Sequence, residues 1–262
     1  MDKGLGPINT TECAAKVAYQ GWARNQIHRD YIAHCLRWQY VLRHIKIGMS
    51  IIDVGCGSFP LLKSLYSNKL KPNLYVGVDI RKNMIEQMME FKTNFTVIGH
   101  QCDIRVDTLP SIRMLTILQD PNKDIPCIAA YPQYDIAVCL EVVEHFEEKY
   151  ISHVLNQIRR VLKPGGLLFL STPNYDSKVG SAKNHIHEYT DIELELYLKK
   201  FFIIEKMIGT FASQKDIEPV LTEAEREVYD NLKPWFAPEV LSVVFASQHP
   251  YQSRNILWVC KR

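Results

Sequence analysis

The sequence predicts an α/β domain built on a mostly parallel sheet with helices on both faces. Three observations carry the prediction. The run Ile51-Ile52-Asp53-Val54-Gly55-Cys56-Gly57-Ser58 sets a buried strand against a glycine turn, and Pro60, Leu61, Leu62 and Leu65 continue it as a helix. Strand-like and helix-like stretches alternate up to residue 104 and again from 135 to 208, the pattern of parallel strands joined by crossover helices. A chain of 262 residues with 47% hydrophobic content is long enough to bury one core without needing a second.

Composition excludes several classes. No apolar run reaches the roughly 18 residues of a membrane-spanning helix, and residues 1–10 lack the basic segment and apolar core of a secretory signal. The seven cysteines are odd in number, dispersed and without a C-x-x-C pair, which argues against a disulfide framework or a thiolate zinc site. The expectation is a soluble, cytoplasmic protein. A formal charge of +2 does not announce a nucleic-acid binder, although charge can be clustered.

Residues 12–46 hold apolar side chains at helical spacing, including Ala15, Ala18, Ile32, Leu36 and Val41, and contain no proline. The spacing predicts helices over 12–24 and 27–45. Trp22, Arg24, His34, Arg37, Trp38 and Arg43 interleave basic and aromatic groups there. Such a face suits stacking on bases and pairing with phosphates, or it is a solvated basic face with its aromatics turned inward.

The opening strand leads into a helix at 59–68. A second buried strand at 74–80 carries the acid Asp79 near its end, a helix spans 81–92, and a short strand at 96–99 precedes Cys102-Asp103-Ile104. Alternation stops over 105–133, where Pro121 and Pro132 punctuate a long connection beside the site. It resumes with a strand at 135–140, the segment Glu141-Val142-Val143-Glu144-His145, and a helix near 148–162. Lys163-Pro164-Gly165-Gly166 is expected to end that helix, glycine taking the left-handed position after its last turn. A strand at 167–171 follows. Thr190 reads as the N-cap of a helix over 191–200, with Glu193 completing a capping box. Strands at 201–208 and 255–260 bracket a region with a helix start at Thr222.

A dinucleotide fingerprint requires glycine at position 60, where Pro60 stands. An Asp-x-Gly-x-Gly turn with an acid ending the next strand is more specific than the two glycines alone. In this pattern the chain resembles the class I S-adenosylmethionine-dependent methyltransferases over most of residues 50–208. Asp53-Val54-Gly55-Cys56-Gly57 is similar to their first motif, Val78-Asp79 to the second, Cys102-Asp103 to the third, and Lys163-Pro164-Gly165-Gly166 to the turn before their fifth strand. The resemblance implies a Rossmann-like, mostly parallel seven-stranded sheet with an antiparallel last strand. It implies S-adenosylmethionine as cofactor and S-adenosylhomocysteine as product. It also implies one domain over 1–262, with an N-terminal helical lid (1–46), an insertion (105–133) and an acceptor-side insertion (213–254). Asp53 would lie near the cofactor's amino-acid end, with Gly55, Cys56 and Gly57 packed against the ligand. Asp79 and Ile80 would meet the ribose, Cys102, Asp103 and Ile104 the adenine, and Glu141 would line the pocket. By themselves Asp79 also reads as a turn-capping acid and Asp103 as an Asx-turn residue.

Methyl transfer from a sulfonium is an in-line displacement, so alignment and exclusion of water dominate, and a base is needed only for a protonated acceptor. The acceptor-side candidates follow strands four and five. His145 leads as base because imidazole titrates near neutrality, and Glu144, His185 and His187 are further catalytic candidates. No metal is the leading expectation. Glu-x-x-Glu-His with a later His-x-x-Glu also resembles the small-RNA 2′-O-methyltransferases, a likeness that implies a divalent metal on Glu141, Glu144, His145 and His185. Metal-free methyltransferases of quinones, sugars and lipids carry the same first segment. Trp235, Phe236, Phe245 and Tyr251 place either an acceptor pocket or a sheet-covering helix pair in 213–254. The expected function is methyl transfer to an oxygen or nitrogen of a small or medium-sized metabolite. The alternatives are metal-assisted methylation of RNA or DNA, and a non-catalytic cofactor-binding partner of another methyltransferase. No membrane partner is expected.

Overall fold

Side chains in the central strands alternate between two cores, as the two-residue period of a pleated strand requires. The computed structural model describes residues 29–111 and 134–262. In order these form α1 (Arg29–Leu42), β1 (Ser50–Val54), α2 (Pro60–Ser67), β2 (Leu74–Asp79), α3 (Lys82–Glu90), β3 (Thr96–Gln101), β4 (Tyr134–Leu140), α4 (Ile151–Val161), β5 (Leu162–Pro173), α5 (Asp191–Lys199), β6 (Ile203–Phe211), α6 (Glu223–Leu232), α7 (Pro238–Ala246) and β7 (Asn255–Lys261), with shorter helical turns between some of them. Ile52, Val54, Val76 and Val78 join Val154, Leu155 and Ile158 of α4 and Leu194 and Leu198 of α5 in one core. Ile51 and Tyr75 point the other way, into Leu61, Leu62 and Leu65 of α2, Ile85 and Met88 of α3, and Val41 and Leu42 of α1. Both faces of the sheet are therefore covered.

Among the described residues seven strands form one sheet in the order β3-β2-β1-β4-β5-β7-β6. β1 to β5 pair in parallel, while β7 lies antiparallel between β5 and β6. The expected antiparallel last strand is present. β1 and β2 are buried at every position, in keeping with their apolar sequences.

Three expectations are corrected. Lys163-Pro164-Gly165-Gly166 does not cap the preceding helix: α4 ends at Val161, Leu162 is already extended, and the left-handed residue, Gly165 (φ 77°), lies within the span of β5. Its N–H donates to Arg262 O (3.1 Å), so the turn starts the strand pairing instead. The strands β3 and β6 run beyond 99 and 208, to Gln101 and Phe211. Arg37 of α1 does not belong to a solvated basic face, being 2% exposed. The helix expected at 12–24, and with it Trp22 and Arg24, lies outside the described residues, as do residues 112–133 of the long connection.

Residues after β6 form a third apolar cluster from Ile217, Leu221, Tyr229, Leu241 and Phe245, and α7 packs on β6 and α1. Among the described residues no helix is long and apolar enough to cross a membrane.

Candidate active site

An open α/β sheet binds ligands beyond the carboxyl ends of its strands, where the strand order reverses. Here the reversal falls between β1 and β4. A cleft of about 800 Å³ opens there, and its wall brings together Asp53, Gly55, Cys56, Gly57, Asp79, Ile80, Cys102, Asp103, Ile104, Glu141 and His145. The remaining wall comes largely from α2 and from His34, Cys35, Trp38 and Gln39 of α1.

The glycine turn hangs from the end of β2. The N–H groups of Gly55 and Cys56 both donate to Val78 O (2.7 and 3.0 Å), and that of Gly57 donates to Asp79 Oδ2 (2.9 Å). Gly55 and Gly57 hold φ of 71° and 54°, a region unfavourable for other residues, and a Cβ on Gly55 would run into the Val142 side chain. Tyr75 donates its hydroxyl to Asp53 Oδ2 at 2.5 Å. Burial raises the Asp53 carboxyl to about 7 even though this hydrogen bond pulls the other way. Burial also acts to raise Asp79, but the Arg81 guanidinium and the N–H groups of Arg81 and Gly57 outweigh it, holding this acid below the usual range. Asp103 is held low chiefly by the fork of Arg105, whose Nε and Nη2 donate to its two oxygens (2.8 and 2.6 Å). Beyond β2 and β3 the cleft thus presents two ionised acids, Asp79 and Asp103, beside a cradle of main chain. These residues fit a ligand with a diol and an exocyclic amine.

At the ends of β4 and β5 the two glutamates diverge. Glu141, left-handed at φ 58°, accepts from Ser171 Oγ (2.6 Å) and Asn255 Nδ2 (2.9 and 3.0 Å), with Arg37 Nη2 at 3.9 Å. Burial opposes its charge, but Arg37 and these donors keep it below the usual carboxyl range. Arg37 is anchored in turn by donating to Thr210 Oγ1 (3.2 Å), Asn255 Oδ1 (3.0 Å) and His34 Nδ1 (2.7 Å). Desolvation and the adjoining guanidinium lower His34 to about 3. Glu144 is fully buried and accepts from Thr172 Oγ1 (3.0 Å), while its Oε1 has no hydrogen-bond partner among the described residues. Burial, then the nearby Glu141, pushes its pKa well up.

The Glu144 carbonyl accepts from the N–H groups of Ile186 and His187 (2.8 and 3.2 Å), which stitches the loop after β5 to the loop after β4. His145 Nδ1 lies 3.1 Å from Asn184 O. A carbonyl only accepts, so this nitrogen carries the proton and Nε2 of the neutral ring is left with its lone pair. The His185 ring meets His145 edge-on at 5.1 Å, and its Nδ1 donates to Glu188 Oε1 (2.5 Å). His187 turns away, donating from Nε2 to Glu193 Oε1 (2.8 Å). Of the four catalytic candidates only His145 lines the cleft; Glu144 and His185 pack behind it, and His187 belongs to the capping site of α5. Ligand atoms of Glu144, His145 and His185 lie within 4.8 Å of one another, as do those of Glu148, His187 and Glu193. Glu141, expected in the first set, is instead committed to Ser171, Asn255 and Arg37.

Arg37, read from the sequence only as one of the basic groups of 12–46, orients the two glutamates together with Ser171, Thr172 and Asn255; partners up to 218 residues apart leave no local signal. Sequence reasoning also passed over Arg81 and Arg105. Their signal was there: Asp-Ile-Arg occurs at 79–81 and again at 103–105.

Residues 24–211 match the family model described as a methyltransferase domain. The small RNA 2′-O-methyltransferase of Arabidopsis thaliana is 30% identical over 145 residues, covering 53% of this chain and 14% of that protein. The ubiquinone biosynthesis O-methyltransferase of Rickettsia typhi is 24% identical over 233 residues, covering 80% of this chain and 82% of that protein. Among solved structures, an S-adenosylmethionine-dependent methyltransferase from Mesorhizobium loti superposes with a TM-score of 0.55 at 15% identity, over 90% of this chain and 100% of that chain. The last likeness concerns the fold. The chain spans only a small part of the plant protein and most of the rickettsial one.

Proposed function

Because the chain belongs to the methyltransferase domain family and its domain has the class I S-adenosylmethionine-dependent fold, we propose that it transfers a methyl group to an oxygen or nitrogen of a small or medium-sized metabolite. The observation that carries this reading is one cleft holding both the strand-end acids and His145, whose Nδ1 bond to Asn184 O turns Nε2 of the neutral ring into the acceptor. The cofactor supplies a methyl carbon already activated on a sulfonium. Asp79 receives the ribose hydroxyls, Asp103 the adenine amine, and Asp53 lies toward the amino-acid end. His145 takes the proton from a hydroxyl acceptor as the methyl arrives, while the Nδ1 bond to Asn184 O and the edge-on contact with His185 hold the imidazole in place. His34 and Trp38, stacked on each other at 5.5 Å, close the wall contributed by α1 as part of an N-terminal lid. Residues 213–254 line none of the cleft and meet it only through the packing of α7 on α1. The rickettsial relative, named for O-methylation in ubiquinone biosynthesis and matched over most of both chains, supports a small-molecule acceptor. A cytoplasmic location is part of the same reading, supported by the buried unbridged thiols Cys56, Cys102, Cys139 and Cys260.

A second reading, metal-assisted methylation of RNA, is favoured by the cluster Glu144, His145 and His185 and by the stretch shared with the plant small-RNA enzyme. Labelled methyl transfer into fractionated small molecules, RNA and DNA, with chelator or with added magnesium or manganese, separates the two. Label in a small-molecule fraction despite chelator supports the main reading. Label confined to RNA and dependent on metal overturns it, and cofactor binding without transfer to any pool identifies a non-catalytic partner subunit.

A further inference from the structure

We propose that Arg81 is a stand-in for the cofactor's ribose: its guanidinium occupies the two acceptor positions of Asp79 that a ribose diol takes, and it must swing out for the cofactor to bind. The proposal rests on the reading that Asp79 receives the ribose. An ionised carboxylate offers about four lone-pair positions. On Asp79 Oδ1 they are taken by the Arg81 N–H (2.9 Å) and Nε (3.0 Å), and on Oδ2 by the Gly57 N–H (2.9 Å) and Arg81 Nη2 (3.2 Å). No position is left over.

The four donors are not equivalent. The two backbone N–H groups belong to the glycine turn and to the entry of α3, so they stay with the fold. The two side-chain donors sit on an arm that is 40% exposed, whereas the Asp79 side chain is 5% exposed. Departure of the guanidinium frees one position on each oxygen, which matches two vicinal hydroxyls. The group is also in the ligand's way: Arg81 lines the cleft, and its Nη2 is the nearest atom that a Cβ on Gly57 would meet, so it lies over the turn. A buried carboxylate without a partner is costly, which gives the arm a purpose in the unliganded protein. The second Asp-Ile-Arg repeat behaves differently. Arg105 puts Nε and its own N–H on Asp103 Oδ1 but only Nη2 on Oδ2, so one position remains for a single amine and Arg105 can stay.

The test is calorimetric binding of adenosine, which is neutral and carries the diol, with S-adenosylhomocysteine in parallel, to wild type, Arg81→Ala, Arg81→Gln and Asp79→Asn. Arg81→Ala is expected to bind adenosine about threefold to fivefold more tightly, the scale of one partly exposed ion pair. Its unliganded melting temperature should fall while its ligand-induced shift grows. Wild-type affinity should rise with salt as the competing pair is screened, and that of Arg81→Ala should not. If Arg81→Ala does not fold, Arg81→Gln, which loses the charge and ends in a shorter polar amide, reads the same quantities. Equal or weaker adenosine binding by the Arg81 variants, with Asp79→Asn defective, overturns the stand-in and leaves the ribose reading intact. Asp79→Asn binding adenosine as wild type does overturns the ribose reading, and the proposal with it.

Discussion

Ser171 and Thr172, neighbours on β5, each hold one of the glutamates of the Glu141-x-x-Glu144-His145 loop. Glu141 faces Arg37 and is ionised, whereas Glu144 has a single hydroxyl donor and is driven toward the neutral acid. Two substitutions separate these states by chemical denaturation. Glu144→Gln keeps the shape of a neutral acid and is expected to change stability by less than about 1 kcal/mol. Arg37→Met leaves the Glu141 charge uncompensated and is expected to cost about 3 kcal/mol. Equal losses would show that Glu144 is charged. For the reaction itself, His145→Asn should leave cofactor affinity within about twofold and lower turnover at least roughly 100-fold, the usual contribution of a general base. Unchanged turnover removes His145 from the mechanism.

Helix α5 carries the capping box read from its sequence: Thr190 Oγ1 accepts from the Glu193 N–H (3.2 Å) and Glu193 Oε2 from the Thr190 N–H (3.3 Å). The other oxygen of Glu193 accepts from His187, so one acid caps the helix and ties down the loop after β5. Thr190→Ala should cost about 1 kcal/mol of stability. Box residues three apart are legible because they are local, as the second box at Thr222 and Glu225 also shows. The glycine in β6 is not legible in this way. A Cβ on Gly209 would collide with Ser253 Oγ and the Ala246 backbone, where α7 and the approach to β7 press on the strand. Gly209→Ala is expected to destabilise by about 2 kcal/mol or more, read as a lowered denaturation midpoint with an unchanged slope.

Over the fold as a unit, buried Asp53 and half-buried His34 give opposite pH dependence. Asp53 titrates at about 7 when folded against 3.8 ordinarily, so the folded state binds the extra proton between these values. Its contribution is complete below about pH 4 and is lost as pH rises through about 7. His34 falls to about 3 from 6.5, so its contribution is complete above about pH 6.5 and is lost as pH falls toward 3. The slopes oppose each other between about pH 4 and 6.5, and single substitutions expose them. Relative to wild type, Asp53→Asn should gain stability as pH rises from about 4 to 7, and His34→Gln should gain as pH falls below about 6.5. Melting curves across that range check both, and a difference that does not vary with pH would sink the corresponding assignment.

The alternation of strands and helices, the turn of Gly55 and Gly57, and the acids Asp79 and Asp103 were all legible in the residues. Each depends on residues within a few positions of one another, where apolar period, glycine conformation and capping chemistry act directly. The seven strands and the antiparallel last strand came through resemblance, and the structure has both. Which side chains carry charge, and which partners hold them, was settled by the packing of distant segments. It buried Arg37 beside Glu141, left Glu144 Oε1 unpaired, turned His187 toward Glu193, and closed Arg81 over Asp79. Burial and electrostatics depend on what the rest of the chain places around a side chain, and no local pattern records that.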